Sequence, residues 1–307
     1  MQLYAPAKIN LSLQIKARRE DGFHEIETLM APISLADRLT IEQTDRKESI
    51  DFSCDDASLP AGEDNLVVRA AKLFQKSTQT GGGLKILLEK KIPHGAGLGG
   101  GSSDAATTLL GVNELLATRL AEKDLMELAA QLGSDVPFFI VQSAAICRGR
   151  GEIVSPVKMP SALRLLLVKP DFGVPTPSAY ARWKDSRELQ GVDYASQEFF
   201  GVRFTNDLER PVFEKFILLA HLKTWLREQA EVGAALLSGS GSTVFAVLRD
   251  GADVEKLEAR VRENVDATLW TCLCETPSPG DSGALRSLFT RISAETRDGV
   301  LAIEFRD

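Results

Sequence analysis

Apolar and polar positions alternate through the first 45 residues, at Ile9, Leu11, Leu13 and Ile15 and again at Leu39 and Ile41, the period-2 pattern of half-buried strands. The period changes over residues 65–76. There Leu66, Val67, Ala70, Ala71 and Phe74 fall at helical spacing behind Glu63, Asp64 and Asn65, which can cap the first turn. After Gly81, Gly82 and Gly83, residues 84–89 read as a strand running into a second glycine cluster at 95–101. A helix follows, with Ala105, Ala106, Leu109, Leu110 and Leu116 close to a 3.6-residue period, and a second covers about 123–132 with Gly133 as its stop.

Prolines at 156, 160, 170, 175 and 177 separate this half from the next, and 163–168 reads as a buried strand. Beyond it, residues 211–229 predict one helix, 234–248 two apolar runs joined by a glycine turn, and 254–265 another helix. Strands and helices mix without a clean doubly wound order, so the expected class is α+β, and no internal repeat is present. The expected division is a lobe at 1–158 and a second at 159–307, with a turn-rich tail from about 276 that has no assigned role.

The 307 residues are enough for two lobes with a substantial core. A net charge of −7 argues against a general nucleic-acid binder, which needs a basic field. No apolar run of membrane-spanning length and no signal-peptide pattern is present, so a cytoplasmic location is expected. Cys54, Cys147, Cys272 and Cys274 match neither a zinc knuckle nor a redox pair, and His24, His94 and His221 are scattered. No structural metal is expected.

The chemistry concentrates at Pro93-His94-Gly95-Ala96-Gly97-Leu98-Gly99-Gly100-Gly101-Ser102-Ser103. A phosphate chain needs many donors in a small space, and glycine lets backbone N–H groups approach it closely. Ser102 and Ser103 stand where the loop enters the helix, so N–H groups and the positive end of the helix dipole point at an anion. No Gly-Lys-Ser or Gly-Lys-Thr follows, which excludes a Walker A loop, and no convincing acid follows for a dinucleotide site.

The segment PHGAGLGGGSSDAA resembles the second motif of the GHMP kinases, and Pro6-Ala7-Lys8-Ile9-Asn10 and Leu237-Ser238-Gly239-Ser240-Gly241-Ser242-Thr243-Val244-Phe245-Ala246 resemble the first and third, in the right order. EDGFH (20–24), EDNLVVRAA (63–71), LGSDVPFF (132–139), VPTPSAY (174–180) and TNDLE (205–209) are similar to the members of that family that phosphorylate the 2-hydroxyl of a cytidine diphosphate-linked methylerythritol. The resemblance implies a two-lobed fold, with a left-handed β-α-β crossover in the first lobe and a ferredoxin-like second lobe. It also implies ATP and Mg²⁺ as cofactors, an isoprenoid precursor pathway, and a small-molecule substrate with neither nucleic acid nor membrane as partner. Rival expectations are a homoserine or sugar kinase of the same family, or a ligand sensor on its fold.

By the same resemblance Lys8 and Asp135 are the catalytic pair. Taken locally, Asp135 before Val136-Pro137 reads as a helix cap and Lys8 as a snorkelling lysine. Asn10 would lie near the acceptor hydroxyl, and Phe23, His24 and Tyr180 would form a slot for the base. Family members often carry Tyr where Phe23 stands and Phe where Tyr180 stands. Thr176, Gly239 and Ser240 match the substrate side, and Asn65 and Leu66 the region bordering the adenine.

Overall fold

The computed structural model describes residues 1–46 and 49–278. The alternating N-terminal segment forms two long paired strands, β1 (Gln2–Arg18) and β2 (His24–Thr44), followed by β3 (Ile50–Cys54), helix α1 (Leu66–Thr78) and β4 (Gly83–Glu89). Asn65 caps α1, its side chain accepting from the Val67 N–H at 2.9 Å. β3 and β4 pair in parallel, so α1 is their crossover. Three helices come next, α2 (Gly100–Leu115), α3 (Glu122–Leu132) and α4 (Val136–Val141), and then the hairpin β5 (Ala145–Gly149) and β6 (Ile153–Pro156).

The second half contains β7 (Arg164–Lys169), α5 (Thr176–Ala181), β8 (Gln197–Phe199), β9 (Val202–Asn206), α6 (Glu209–Lys215), α7 (Ile217–Arg227), β10 (Val232–Leu237), β11 (Val244–Leu248), α8 (Val254–Asn264) and β12 (Trp270–Glu275). The single helix expected over 211–229 is two. Phe216 leaves helical geometry at φ −119°, ψ 74°, and its ring stacks on Phe172 at 5.4 Å, so an aromatic contact outside the helix sets the break. The alternating Val300–Phe305 end of the expected tail lies outside the described residues.

Two sheets result. One runs β3-β4-β2-β1-β9-β8 with β5 attached to β2 and β6 to β5; the other is β10-β11-β7-β12. β9 comes from beyond residue 158 yet pairs with β1, so the first sheet receives strands from both halves of the chain. Between the sheets lies a core of Ala7, Ile9 and Leu11 from β1, Leu165 and Leu167 from β7, and Phe245 and Val247 from β11. The intervening residues Leu166, Val168, Val244 and Ala246 face the other way, into a core with α6, α7 and α8. This two-sided burial explains why 163–168 is a continuous apolar run. A third core joins α1–α4 to the first sheet, and each fully buried Leu or Phe contributes about 1.5–3 kcal/mol. Among the described residues no helix is long and apolar enough to cross a membrane.

Candidate functional site

Strand alternation builds the centre of the site. With Ala7, Ile9 and Leu11 turned into the inter-sheet core, Lys8 and Asn10 must face the opposite side, where they are 4% and 3% exposed. Lys8 Nζ donates to Asn10 Oδ1 at 2.6 Å, Asn10 Nδ2 donates to Thr28 Oγ1 at 2.8 Å, and Thr28 Oγ1 donates to the Ser12 carbonyl at 2.6 Å. The chain of bonds fixes the ammonium. Asp135 Oδ2 lies 3.7 Å from that ammonium, and its side chain is 38% exposed. Asp135 stands at the N-cap position of α4, but its side chain makes no capping hydrogen bond and turns towards Lys8 instead. Cys147 lies nearby on β5, and burial, with Asp135 adding, pushes its thiol up to about 12, so it stays protonated.

The glycine loop leads into α2 above this pair. The Lys8 N–H donates to the Leu98 carbonyl at 2.9 Å, tying the loop to β1. Gly99, the residue before α2, has φ +71°, and a Cβ there would fall 3.0 Å from Lys8 Cγ and 2.9 Å from Phe139 Cζ. The loop's entry is held from below. Asp37 on β2 accepts from the backbone N–H groups of Lys91 and Ile92 at 2.5 and 2.8 Å, and Lys90 bridges Asp37 and Asp104, the latter at 2.8 Å. Burial raises the Asp104 carboxyl to about 7, with Lys90 opposing and Asp37 reinforcing the shift. Two buried carboxylates share one ammonium there.

The β10–β11 turn closes the site from the other lobe. Ser238 Oγ donates to the Gly97 carbonyl at 3.0 Å and the Thr243 N–H to the Ala96 carbonyl at 3.1 Å. A Cβ on Gly239 would lie 3.1 Å from Asn10 Oδ1 and 3.4 Å from Lys8 Nζ, so the turn touches the central pair. Thr176 Oγ1 and Ser240 Oγ are 2.8 Å apart. The TNDLE segment, which carried no role in the sequence, holds this turn in place. Asn206 Nδ2 donates to the Leu237 and Gly239 carbonyls, both at 2.8 Å, and Glu209 Oε1 accepts the Leu237 N–H at 3.0 Å while Lys223 neutralises its other oxygen at 2.6 Å.

The third element is aromatic. His24 and Tyr180 rings are 5.3 Å apart with a 31° tilt, and Trp183 meets His24 edge-on at 5.9 Å. Burial, helped by Arg18 and Lys184, lowers the His24 imidazole below its ordinary value, so the ring is neutral at pH 7. Burial pushes the Tyr180 phenol up. Phe23 is not in this cluster. It stands at the rim, 49% exposed, with the Arg150 guanidinium 4.8 Å above its ring.

One cleft of about 990 Å³ joins these parts. Lys8, Asn10, Phe23, His24, Asn65, Leu66, Asp135, Thr176, Tyr180, Gly239 and Ser240 line it, as does the loop from Pro93 to Ser102. Ser103 is fully buried beside the loop, and its Oγ has no hydrogen-bond partner among the described residues. Trp183, Arg150, Thr28 and Asp37 were not foreseen. Trp183 sits three residues past Tyr180, in the turn that follows α5, a spacing that could have pointed to it.

Comparison with known proteins agrees with this geometry. Residues 65–143 match the model of the GHMP kinases N terminal domain and residues 202–267 that of the GHMP kinases C terminal. The chain is 46% identical over 246 residues to 4-diphosphocytidyl-2-C-methyl-D-erythritol kinase of Methylacidiphilum infernorum, covering 80% of this chain and 85% of that relative. A crystal structure of 4-(cytidine 5'-diphospho)-2C-methyl-D-erythritol kinase superposes with a TM-score of 0.73 at 37% identity, over 91% of this chain and 100% of that one. Homoserine kinase from Cytophaga hutchinsonii shares the fold, with a TM-score of 0.66 at 18% identity over 92% of this chain and 96% of that one.

Proposed function

The chain belongs to the 4-diphosphocytidyl-2-C-methyl-D-erythritol kinase family within the GHMP kinases, and we propose that it transfers the γ-phosphoryl group of ATP to the 2-hydroxyl of 4-diphosphocytidyl-2-C-methyl-D-erythritol, a step towards isoprenoid precursors. The observation that carries this reading is a single cleft holding the glycine loop, the Lys8–Asp135 pair and the His24–Tyr180–Trp183 rings. In it the first lobe, to about residue 158, holds ATP, and the second supplies Thr176, Tyr180 and the Gly239–Ser240 turn.

Asp135 accepts the proton of the acceptor hydroxyl. The freed oxygen pair bonds to the γ-phosphorus as the bond to ADP breaks, in line with a group whose charge spreads over its equatorial oxygens. Lys8, held by Asn10, stabilises the ionised Asp135 and the developing alkoxide. Loop N–H groups and the start of α2 cradle the phosphates, with Asn65 and Leu66 bordering the adenine. Mg²⁺ would be held at the loop end, where the Ser102 hydroxyl lines the cleft and is a hard oxygen donor of the kind this cation takes beside phosphate and water. When bound, the cation neutralises phosphate charge. Tyr180 and the neutral His24 take the cytosine face and edge.

The test is ATP turnover against a panel of the cytidyl erythritol, homoserine and mevalonate, repeated with Asp135→Asn. Turnover is expected with the first acceptor alone, and it should fall by about a hundredfold or more in the variant. Absence of turnover with the cytidyl acceptor would reject the substrate; an unimpaired Asp135→Asn would reject the base.

A further inference from the structure

We propose that Lys169, which does not line the cleft, is a positioning residue for phosphoryl transfer: its ammonium fixes the turn at residues 170–172, and that turn sets the spacing between the glycine loop and the acceptor-side helix α5. The inference rests on the ATP-dependent transfer proposed above. Three lysines are buried among the described residues. Lys8 faces Asp135 and Lys223 pairs with Glu209, but Lys169 has no carboxylate within ion-pair distance among those residues. Burial lowers its ammonium from the ordinary lysine value, with the charge of Asp171 opposing. A buried cation costs stability unless its donors are engaged, and Lys169 Nζ donates to the Pro170 carbonyl at 2.6 Å and to the Phe172 carbonyl at 3.3 Å. Both partners belong to the turn that follows it.

That turn needs a tie from a side chain. Pro170, Pro175 and Pro177 have no backbone N–H, and residues 170–175 run between β7 and α5 in neither helix nor strand. Besides Lys169, the ties are the Phe172 ring, stacked on Phe216, and Ser242 Oγ, which donates to the Phe172 carbonyl at 2.5 Å. The next residue meets the glycine loop. A Cβ on Gly173 would fall 3.2 Å from the Gly95 carbonyl oxygen, and one on Gly95 would fall 3.7 Å from Gly173 Cα, so the two backbones are in contact. Val174 then reaches the β10–β11 turn, where a Cβ on Gly241 would lie 3.6 Å from Val174 Cγ2, and Thr176 Oγ1 meets Ser240 Oγ. From there the chain continues into the helix that carries Tyr180. A shift at Phe172 is therefore felt at Gly95 on one side and at Thr176 on the other.

The experiment is steady-state kinetics with ATP and the cytidyl acceptor varied in turn, beside thermal unfolding, on the full-length wild type, Lys169→Met, Gly173→Ala and the double variant. Methionine keeps the unbranched stem and removes the charge. Loss of a buried cation offsets the loss of its two hydrogen bonds, so the melting temperature should stay within about 5 °C of the wild type. kcat should nonetheless fall about tenfold or more with both KM values within about threefold, because the substrates still bind while acceptor and γ-phosphate are held less well in line. Gly173 lies outside the left-handed region, so Gly173→Ala adds a methyl group against the Gly95 carbonyl without backbone strain. It should lower kcat by the same route, and the double variant should fall by less than the product of the two losses. A Lys169→Met that keeps kcat within about threefold, or a double variant whose losses multiply, would overturn the proposal. If Lys169→Met melts far below the wild type, the decision passes to Gly173→Ala, in which an unchanged kcat would overturn it. A wild type without turnover of the cytidyl acceptor would instead overturn the transfer reading, and this inference with it.

Discussion

Replacing Gly97 by alanine should pry the glycine loop and the β10–β11 turn apart. Gly97 has φ +76°, where an L side chain costs about 1–2 kcal/mol. Space is the larger problem: the new Cβ would lie 2.2 Å from the Ser238 carbonyl oxygen and 2.9 Å from that of Gly241, both backbone atoms that cannot swing away. Reaching even a 3.4 Å contact with the first requires the gap to widen by roughly 1.2 Å. That movement breaks the bonds from Ser238 Oγ to the Gly97 carbonyl and from the Thr243 N–H to the Ala96 carbonyl, each worth about 1 kcal/mol. The total is about 3–4 kcal/mol of stability, and a misplacement near 1 Å costs about a hundredfold in rate. Steady-state kinetics with ATP varied, beside thermal unfolding, measure both. Gly251→Ala is the control, since Gly251 has φ +72° with nothing within 4 Å of a new Cβ, so only the backbone cost applies. If Gly97→Ala kept kcat/KM for ATP within about threefold and melted with the control, the packing argument would fail.

Two further substitutions probe other parts of the cleft. Tyr180→Ala should raise KM for the cytidyl substrate by about tenfold or more, the value of one base-stacking contact, and leave KM for ATP nearly unchanged; equal effects on both would count against the slot. Asp104→Asn should flatten the dependence of melting temperature on pH. With the folded carboxyl raised to about 7, the folded protein keeps a proton that the unfolded chain releases near pH 4, so this group's contribution is present below about pH 4 and is lost as pH rises through 7. Wild type and variant melting in parallel between pH 4 and 8 would show that burial does not raise the Asp104 carboxyl.

The sequence made the parts of the site visible more readily than their assembly. Period-2 alternation around Ile9 and Leu11 implied that Lys8 and Asn10 share a face, and β1 bears them there. The glycine run into a patterned helix was equally local, and α2 begins at Gly100. Asp135 was different. Its neighbours spell a helix cap, and only the family resemblance pointed elsewhere; the structure shows no capping bond and a contact with Lys8 instead. What local pattern cannot carry is long-range register. Nothing in residues 202–206 says that they pair with β1, nor that Asn206 will reach two carbonyls of a turn some 30 residues on. Arg150, in a glycine turn, looks like an ordinary solvated residue until Phe23 and Asp135 are placed on either side of it.

Those long-range pairings decide where the geometry of transfer resides. A two-lobed kinase could assemble its site by hinge closure, each lobe bringing half. Here β1 is a common reference. It pairs with β2 on one side and with β9, from the second half of the chain, on the other, while its inward residues lock into the inter-sheet core. Its outward face carries Lys8 and Asn10, its Lys8 N–H holds the glycine loop, and Asn10 meets the Gly239 turn that Asn206, at the end of β9, secures. Both loops are thus registered to a single strand and its neighbour. Moving one lobe against the other would require breaking the β1–β9 pairing and opening the core of Ile9, Leu11, Leu167 and Phe245, so the glycine loop, the Lys8–Asp135 pair and the Gly239 turn are set relative to one another by sheet register.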